Sequence, residues 1–282
     1  MKIDKLFIFK LIFLSLLFIL LFSPTFPILF HRFLQRDSYY SHGFLIPFIF
    51  IYLIWRKRGK ISRLKINSSW RGLFFLLGGI FLHVIGIIFK VNFLSFLAIP
   101  FVIFGTVYCW LGYQIVKEIL FPIAFLIFML PLPQVVIINL AFKLKMLVAQ
   151  TAAFLVKYIL KIEVIRKGSI LYYPGGYLIV GDPCSGLRSL ISFLALGILI
   201  SYFAHVSLAK KVLIFLFSIP VALLSNIIRV IFLLIISYIY GEKVALGFLH
   251  QLSGLLVFIL GFFLLISLSN YFKRREILLN EG

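Results

Sequence analysis

The sequence predicts an all-α polytopic membrane protein of about eight transmembrane helices. Of its 282 residues, 63% are hydrophobic, and the mean hydropathy of +1.16 is far above that of a soluble domain. Apolar runs of about 20 residues, long enough to cross roughly 30 Å of hydrocarbon, recur along the whole length. Lys and Arg cluster in short segments between these runs, as in membrane-protein loops. We therefore predict one membrane domain over residues 1–282.

The N-terminal half alternates apolar runs with basic loops. Its first run is longer than the ~7–15-residue core of a signal peptide and lacks a small-residue cleavage site, so we expect it to stay as an anchor. The N-terminus and the basic segment 56–71 are expected on the cytoplasmic side. The predicted crossings are approximately 6–30, 43–55, 72–90, 93–110 and 114–130.

The C-terminal half is predicted to cross at about 187–204, 212–240 and 250–270. The basic residues 273–275 and 209–211 are both expected on the cytoplasmic side, so the crossing at 187–204 must begin outside. Both ends of the segment 131–183 are then expected outside. An apolar stretch within it, 134–160, is therefore expected to lie in the outer interface or to re-enter from it.

The segment 131–183 is expected to form an outer cap over the helices at about 184–270 that carry the candidate site. Within it, the stretch SILYYPGGYLIVG has strand-forming residues on both sides of Pro-Gly-Gly, which predicts a small β-hairpin. The cap would thus combine an interfacial helix with a hairpin.

The formal charge of +20 does not indicate nucleic-acid binding, because the basic residues lie between apolar runs. This pattern indicates membrane topology and contact with anionic lipid headgroups. Only two cysteines occur, Cys109 within an apolar run and Cys184 in a polar stretch. They provide neither zinc-ligand spacing nor a disulfide framework, and no metal or organic cofactor is suggested.

The first candidate residue is Cys184, in the stretch GDPCSGLRSL. Asp182 and Pro183 resemble an N-cap followed by proline at the first helical position, which would place Cys184 in the first helical turn. The positive end of the helix dipole and Arg188 one turn further would both favour a thiolate. The alternative is a buried small hydrophobe, the interpretation given to Cys109.

Two further candidates lie on the next two predicted helices. Arg229 stands in a long apolar run, where a charge is expensive and normally faces a polar interior, and Asn226 shares its helical face and could hold the guanidinium. His250 begins the last apolar run. The alternatives are an arginine that extends to headgroups and a structural interface histidine. Together with Cys184 they supply a nucleophile, a proton shuttle and an oxyanion donor for acyl transfer.

These residues resemble a known family. CSGLRSL, followed by NIIR in the next helix and a histidine at the start of the last, is similar to the exosortase branch of the exosortase/archaeosortase family, as is SHGFLIPFIFIYLIW near the N-terminus. The resemblance implies a cysteine transpeptidase of the bacterial inner membrane with its site facing the periplasm. Its substrates would be proteins with a C-terminal PEP-CTERM-type tail, passed through a thioacyl enzyme to a surface or exopolysaccharide acceptor. It implies catalytic roles for Cys184, Arg229 and His250.

Four residues are expected to support the site or to contact substrate: Arg188, Asn226, Ser185 and His42. For Arg188 the options are orienting Cys184, binding a carboxylate of the substrate, and a purely structural role. His42, an outer residue before the second predicted crossing, is either a site neighbour or a turn residue. No metal site is expected.

Two other function classes remain open. A transporter or flippase of lipid-linked glycan would need a polar path across the membrane, but the inner halves of the last three runs are apolar apart from Pro220. A glycan polymerase or ligase would use arginine and histidine but no thiol. Replacement of Cys184 separates the cysteine enzyme from these alternatives.

Overall fold

The computed structural model describes residues 5–35 and 38–281 and divides into two compact units, residues 1–133 and 134–282. Helices dominate both units, in agreement with the predicted fold class. The prediction of one membrane domain over residues 1–282 stays a prediction.

The first unit contains seven α-helices among its described residues, with short 3₁₀ turns at Ser41–Leu45 and Leu126–Met129. The helices are α1 Lys5–Leu21, α2 Thr25–Leu34, α3 Ile46–Arg56, α4 Arg58–Ile61, α5 Arg71–Ile88, α6 Asn92–Leu111 and α7 Tyr113–Phe125. No residue of α1 is buried, and its exposed leucine and phenylalanine side chains suit a lipid environment.

Helices α5 and α6 form an extensive antiparallel pair. Gly72, Gly79 and Gly86 recur at seven-residue intervals along α5 and all lie buried against α6. A Cβ at Gly86 would lie 2.7 Å from the backbone nitrogen of Ser95. Small residues at such positions let two helix backbones approach closely, which is a common basis of helix pairing in membranes.

The described residues of the second unit form five α-helices and three strands. They are α8 Gln134–Ile159, β1 Ile165–Lys167, β2 Ile170–Tyr173, β3 Gly176–Ile179, α9 Leu187–Phe203, α10 Leu208–Tyr240, α11 Glu242–Leu246 and α12 Phe248–Glu281. A 3₁₀ turn at Asp182–Cys184 precedes α9. The long helix α10 packs against α8, α9 and α12, so it is the central helix of this unit.

The predicted hairpin is present as β2 and β3, and β1 extends it to a three-stranded antiparallel sheet in the order β1-β2-β3. Leu171 and Leu178 face each other across β2 and β3 and are almost completely buried. Tyr173 donates its hydroxyl to the Ser237 carbonyl at 3.0 Å, which ties β2 to α10. The sheet therefore closes one side of the core around α8 and α10.

Six helical segments of the described residues are long and apolar enough to cross a membrane, in agreement with a multi-pass protein. The predicted count of about eight is not confirmed. The spans are Arg71–Ile88, Asn92–Leu111, Gln134–Ile159, Asp182–Phe203, Leu208–Tyr240 and Leu252–Glu276. Helices α1 and α2 meet the same test only as a pair, and they bend by 75° at their junction.

Three predicted segments differ from this result. The segments predicted to cross at 43–55 and 114–130 are shorter helices, the second ending as α7 and a 3₁₀ turn. Conversely, α8 has the length of a crossing, so its predicted placement along the interface is not confirmed. Lys145, a charged residue within α8, pairs with Asp182 at 2.8 Å inside the same unit.

Adjacent glycines of α5 provide a matched test of the α5–α6 contact. A Cβ at Gly79 would lie 2.8 Å from Cγ2 of Val102, whereas a Cβ at Gly78 would meet nothing within 4 Å. We expect Gly79→Ala to destabilise the protein by about 1–2 kcal/mol through overpacking. Gly78→Ala should be neutral or stabilise it by up to about 1 kcal/mol, because alanine favours the helix. Thermal unfolding in detergent measures both, and equal shifts for the two variants would contradict the close approach.

Candidate active site

Cys184 lies in a tight turn that connects β3 to α9. It is the last residue of the 3₁₀ turn Asp182–Cys184, and α9 begins only at Leu187. The prediction that Asp182 is the N-cap of this helix is wrong. Its side chain makes no capping hydrogen bond and instead forms an ion pair with Lys145, and the residue before α9 is Gly186. Cys184 therefore precedes the α-helix rather than occupying its first turn.

The turn depends on a glycine and on an asparagine from α10. Gly186 has φ +84°, a left-handed conformation that disfavours side chains. The Asn226 side chain packs against it, and its Nδ2 donates to the Cys184 carbonyl at 2.8 Å. Asn226 is only 2% exposed, and its Oδ1 has no hydrogen-bond partner among the described residues. The predicted contact of Asn226 with Arg229 is replaced by this contact with the Cys184 backbone.

The structure brings Cys184, His250 and Arg229 together from three separate elements. The Cys184 Sγ lies 3.6 Å from Nδ1 and 3.9 Å from Nε2 of His250. Nη2 of Arg229 lies 3.1 Å from His250 Nε2 and donates to the His250 carbonyl at 2.9 Å. Nη1 of Arg229 donates to the Pro183 carbonyl at 3.4 Å. The guanidinium thus links the start of α12 to the turn that carries the thiol.

The contact between Arg229 and His250 determines the protonation pattern of the imidazole in this arrangement. A guanidinium only donates hydrogen bonds, so the Nε2 that it contacts must accept. The ring is therefore neutral with its proton on Nδ1, the nitrogen nearer to Sγ. The positive charge next to the thiol resides on Arg229.

Two residues that the sequence analysis did not single out complete this arrangement. Oγ of Ser253 donates to the His250 carbonyl at 3.0 Å and accepts from Nε of Arg229 at 3.4 Å. A Cβ at Gly254 would lie 3.2 Å from Cζ of Arg229, so the glycine leaves room for the guanidinium. The sequence pattern that could have identified them is their spacing, because residues three and four positions after His250 lie on the same helical face as His250.

The other predicted site residues have different surroundings. Ser185 is 1% exposed, and its Oγ accepts from the Leu187 backbone nitrogen at 3.4 Å. Arg188 is the second residue of α9 and interacts electrostatically with Arg229. His42 belongs to the first unit, where its Nε2 lies 3.2 Å from the Phe128 carbonyl oxygen. Its role as a neighbour of the site stays a prediction.

Within residues 5–35 and 38–281, no group of three or more His, Cys, Asp or Glu side chains is placed to hold a metal ion. The three side chains that the structure brings together are a thiol, an imidazole and a guanidinium, a combination suited to covalent acyl transfer.

Residues 34–267 match the family model of the transmembrane exosortases. The chain belongs to this family. Membership is consistent with a role in processing sorting signals, and the resemblance identified from the sequence is confirmed. No curated protein and no solved structure matches the chain. The family match covers both the N-terminal segment SHGFLIPFIFIYLIW and the three elements that bring Cys184, Arg229 and His250 together.

Two glycines that flank Cys184 test whether the turn positions the thiol. Gly186→Ala should place a Cβ 2.7 Å from Nδ2 of Asn226 in a left-handed conformation, which disfavours the native turn by at least about 1–2 kcal/mol. Gly181→Ala is the control, because its φ of −76° suits alanine and its Cβ would meet only Pro183, at 3.6 Å. We expect only the first variant to lower the thermal midpoint and change the alkylation rate of Cys184. A native alkylation rate in Gly186→Ala would contradict this role.

Proposed function

We propose that the chain is a membrane-embedded cysteine peptidase or transpeptidase that cleaves C-terminal sorting signals of PEP-CTERM type from exported proteins. The observation that carries this proposal is the approach of both ring nitrogens of His250 to Cys184 Sγ, at 3.6 Å for Nδ1 and 3.9 Å for Nε2, with Arg229 bound to the same imidazole. Family membership supports the substrate class, because exosortase relatives are sorting enzymes.

The first chemical step is acylation of Cys184. The thiol proton passes to Nε2 of His250, which lies 3.9 Å from Sγ and becomes free when Arg229 turns away from it. The thiolate then attacks the carbonyl carbon of the scissile peptide bond. The tetrahedral intermediate collapses, the C–N bond breaks and the imidazolium gives its proton to the leaving amine. The products are a thioester on Cys184 and the released tail.

Arg229 has two successive roles in this step. In the resting arrangement its Nη2 contacts Nε2 of His250, which keeps the ring neutral. When substrate binds, the same donors turn to the carbonyl oxygen, where negative charge develops. This exchange removes the positive group from the imidazole at the moment when the ring must accept a proton.

The second step regenerates the enzyme. An acceptor nucleophile on the cell surface or on an exopolysaccharide, or water, gives a proton to His250 and attacks the thioester carbonyl. The C–S bond breaks, and the proton returns to the Cys184 thiolate. Transfer to an acceptor makes the enzyme a transpeptidase, and transfer to water makes it a protease.

The proposed location is the bacterial inner membrane, with the site facing the periplasm and membrane lipid around the helices. Six apolar helices support the membrane placement. Cys184 precedes α9 and His250 lies in the first turn of α12, so both stand near helix ends rather than at the middle of a span. Exported substrates would reach such a site after their translocation.

The two cysteines provide a matched test of the thiol mechanism. A reporter that ends in a PEP-CTERM tail is co-expressed in a Gram-negative host with the parent chain, Cys184→Ala or Cys109→Ala. We expect tail removal with the parent and with Cys109→Ala, and none with Cys184→Ala, because only Cys184 can form the thioester. An immunoblot of the reporter measures the outcome. Equal processing by Cys184→Ala would reject the thiol mechanism and favour a glycan-handling function.

Two buried serines test the support of Arg229. Ser253 and Ser218 both donate to the carbonyl three residues earlier, but only Ser253 also accepts from Arg229. We expect Ser253→Ala to reduce turnover by about 3- to 10-fold, as a lost hydrogen bond to a charged group predicts. Ser218→Ala should leave turnover within about twofold of the parent, because its hydroxyl serves only its own helix. Initial rates of reporter processing at matched expression compare the two, and similar rates would argue against a role of Ser253.

A further inference from the structure

Arg188 is a partly buried cation, and two of its three donor atoms are buried without partners. Its Nε and Nη2 are both inaccessible to solvent, and neither has a hydrogen-bond partner among the described residues. A buried donor without a partner is unfavourable, and a buried guanidinium without an anion is more so. Such groups are rare in folded proteins, and each requires an explanation, for example a catalytic role or a bound water or ion.

A second guanidinium lies within electrostatic reach. Arg229 donates to the Pro183 carbonyl, next to Cys184, and contacts the His250 ring that approaches Sγ. Arg188 follows Cys184 by four residues and is near enough for its charge to repel that of Arg229. The hydrogen-bond partners of Arg229 are His250, Ser253 and the Pro183 carbonyl, all of them neutral.

The chain supplies no carboxylate to this pair in the part that the structure describes. The acids that form ion pairs there are bound to lysines elsewhere: Asp182 to Lys145, Glu118 to Lys57 and Lys60, and Glu276 to Lys210. Asp182 is the acid nearest to Arg188 in sequence, yet it is held by Lys145. An anion from outside the chain would therefore relieve both the missing hydrogen bonds and the repulsion.

The unpartnered atoms also define the shape of that anion. Nε and Nη2 lie on the same edge of a guanidinium and donate in parallel, which matches the two oxygens of a carboxylate. We propose that Arg188 binds a carboxylate of the substrate peptide and so sets which residue next to the scissile bond is accepted. This inference rests on the proposed function for the identity of the ligand as a peptide. The anion preference itself follows from the arginine pair.

The anion preference is testable without turnover. In a Cys109→Ala background, Cys184 alone is modified with methanethiosulfonates that carry a sulfonate, a trimethylammonium or no charge, and second-order rate constants are measured in detergent. The uncharged reagent corrects for changes in thiolate fraction. We expect Arg188→Gln to lower the ratio of the sulfonate rate to the uncharged rate by about tenfold and to raise the trimethylammonium ratio. Arg188→Lys should stay within about threefold of the parent, because it keeps the charge.

Two results of this experiment would overturn the proposal. One is that the sulfonate and trimethylammonium rates, each divided by the rate of the uncharged reagent, are the same in Arg188→Gln as in the parent. This result would show that Arg188 does not act on anions near the thiol. The other is no reaction with any reagent when the unfolded chain reacts normally, which would show that no small anion reaches the arginine pair.

Reporter processing then tests the carboxylate and separates this proposal from the proposed function. The Glu of the Pro-Glu-Pro motif in the reporter tail is changed to Gln and presented to the parent and to Arg188→Gln. We expect the Glu→Gln reporter to be processed about tenfold more slowly than the original reporter by the parent enzyme. For Arg188→Gln the difference should be less than threefold, because the guanidinium that pairs with the Glu is already absent. Equal slowing of both enzymes overturns the carboxylate assignment while leaving peptide cleavage intact. No cleavage of any reporter, with the reagent ratios as expected, rejects the proposed function and leaves an anion site beside the thiol.

Discussion

The positive charge of Arg229 inside an apolar helix unit is the constraint on which the rest of the candidate site depends. A guanidinium in such surroundings must find hydrogen-bond acceptors in the protein. Here they are the His250 ring and carbonyl, Ser253 Oγ and the Pro183 carbonyl. These acceptors come from the start of α12 and from the turn before α9, so solvating the charge also assembles the site.

Helix α10 positions both halves of this arrangement. Arg229 and Asn226 lie one turn apart on it, and each contacts a different part of the turn from Gly181 to Gly186. The same helix holds the sheet through Ser237 and Tyr173. The thiol is therefore carried on a short irregular segment whose freedom is removed by contacts to one long rigid helix, a common way to pre-organise a nucleophile.

The site combines cations with a shortage of acids. In the proposed mechanism the thiolate, the tetrahedral oxyanion and the substrate carboxylate are all negative, and a nearby guanidinium favours each of them. Nε and Nη2 of Arg188 are buried without a hydrogen-bond partner among the described residues. If substrate supplies the missing partner, the gain strengthens substrate binding, whereas only an interaction that is stronger in the transition state speeds the chemical step.

The sequence by itself determined the membrane class, the family, the hairpin and the three residues that converge, because apolar length, a lone intramembrane arginine and a cysteine near a helix start are local properties of the chain. Other features needed the tertiary structure. The partner of Asn226 changed from Arg229 to the Cys184 carbonyl, and Ser253 and Gly254 emerged as neighbours of the guanidinium, because these contacts depend on how α10 and α12 pack. The helix at 134–159 has the length of a crossing, and Lys145 within it pairs with Asp182, a partner that the sequence does not reveal. Side-chain partners that are distant in sequence are fixed by packing, and a linear pattern of residues does not contain them.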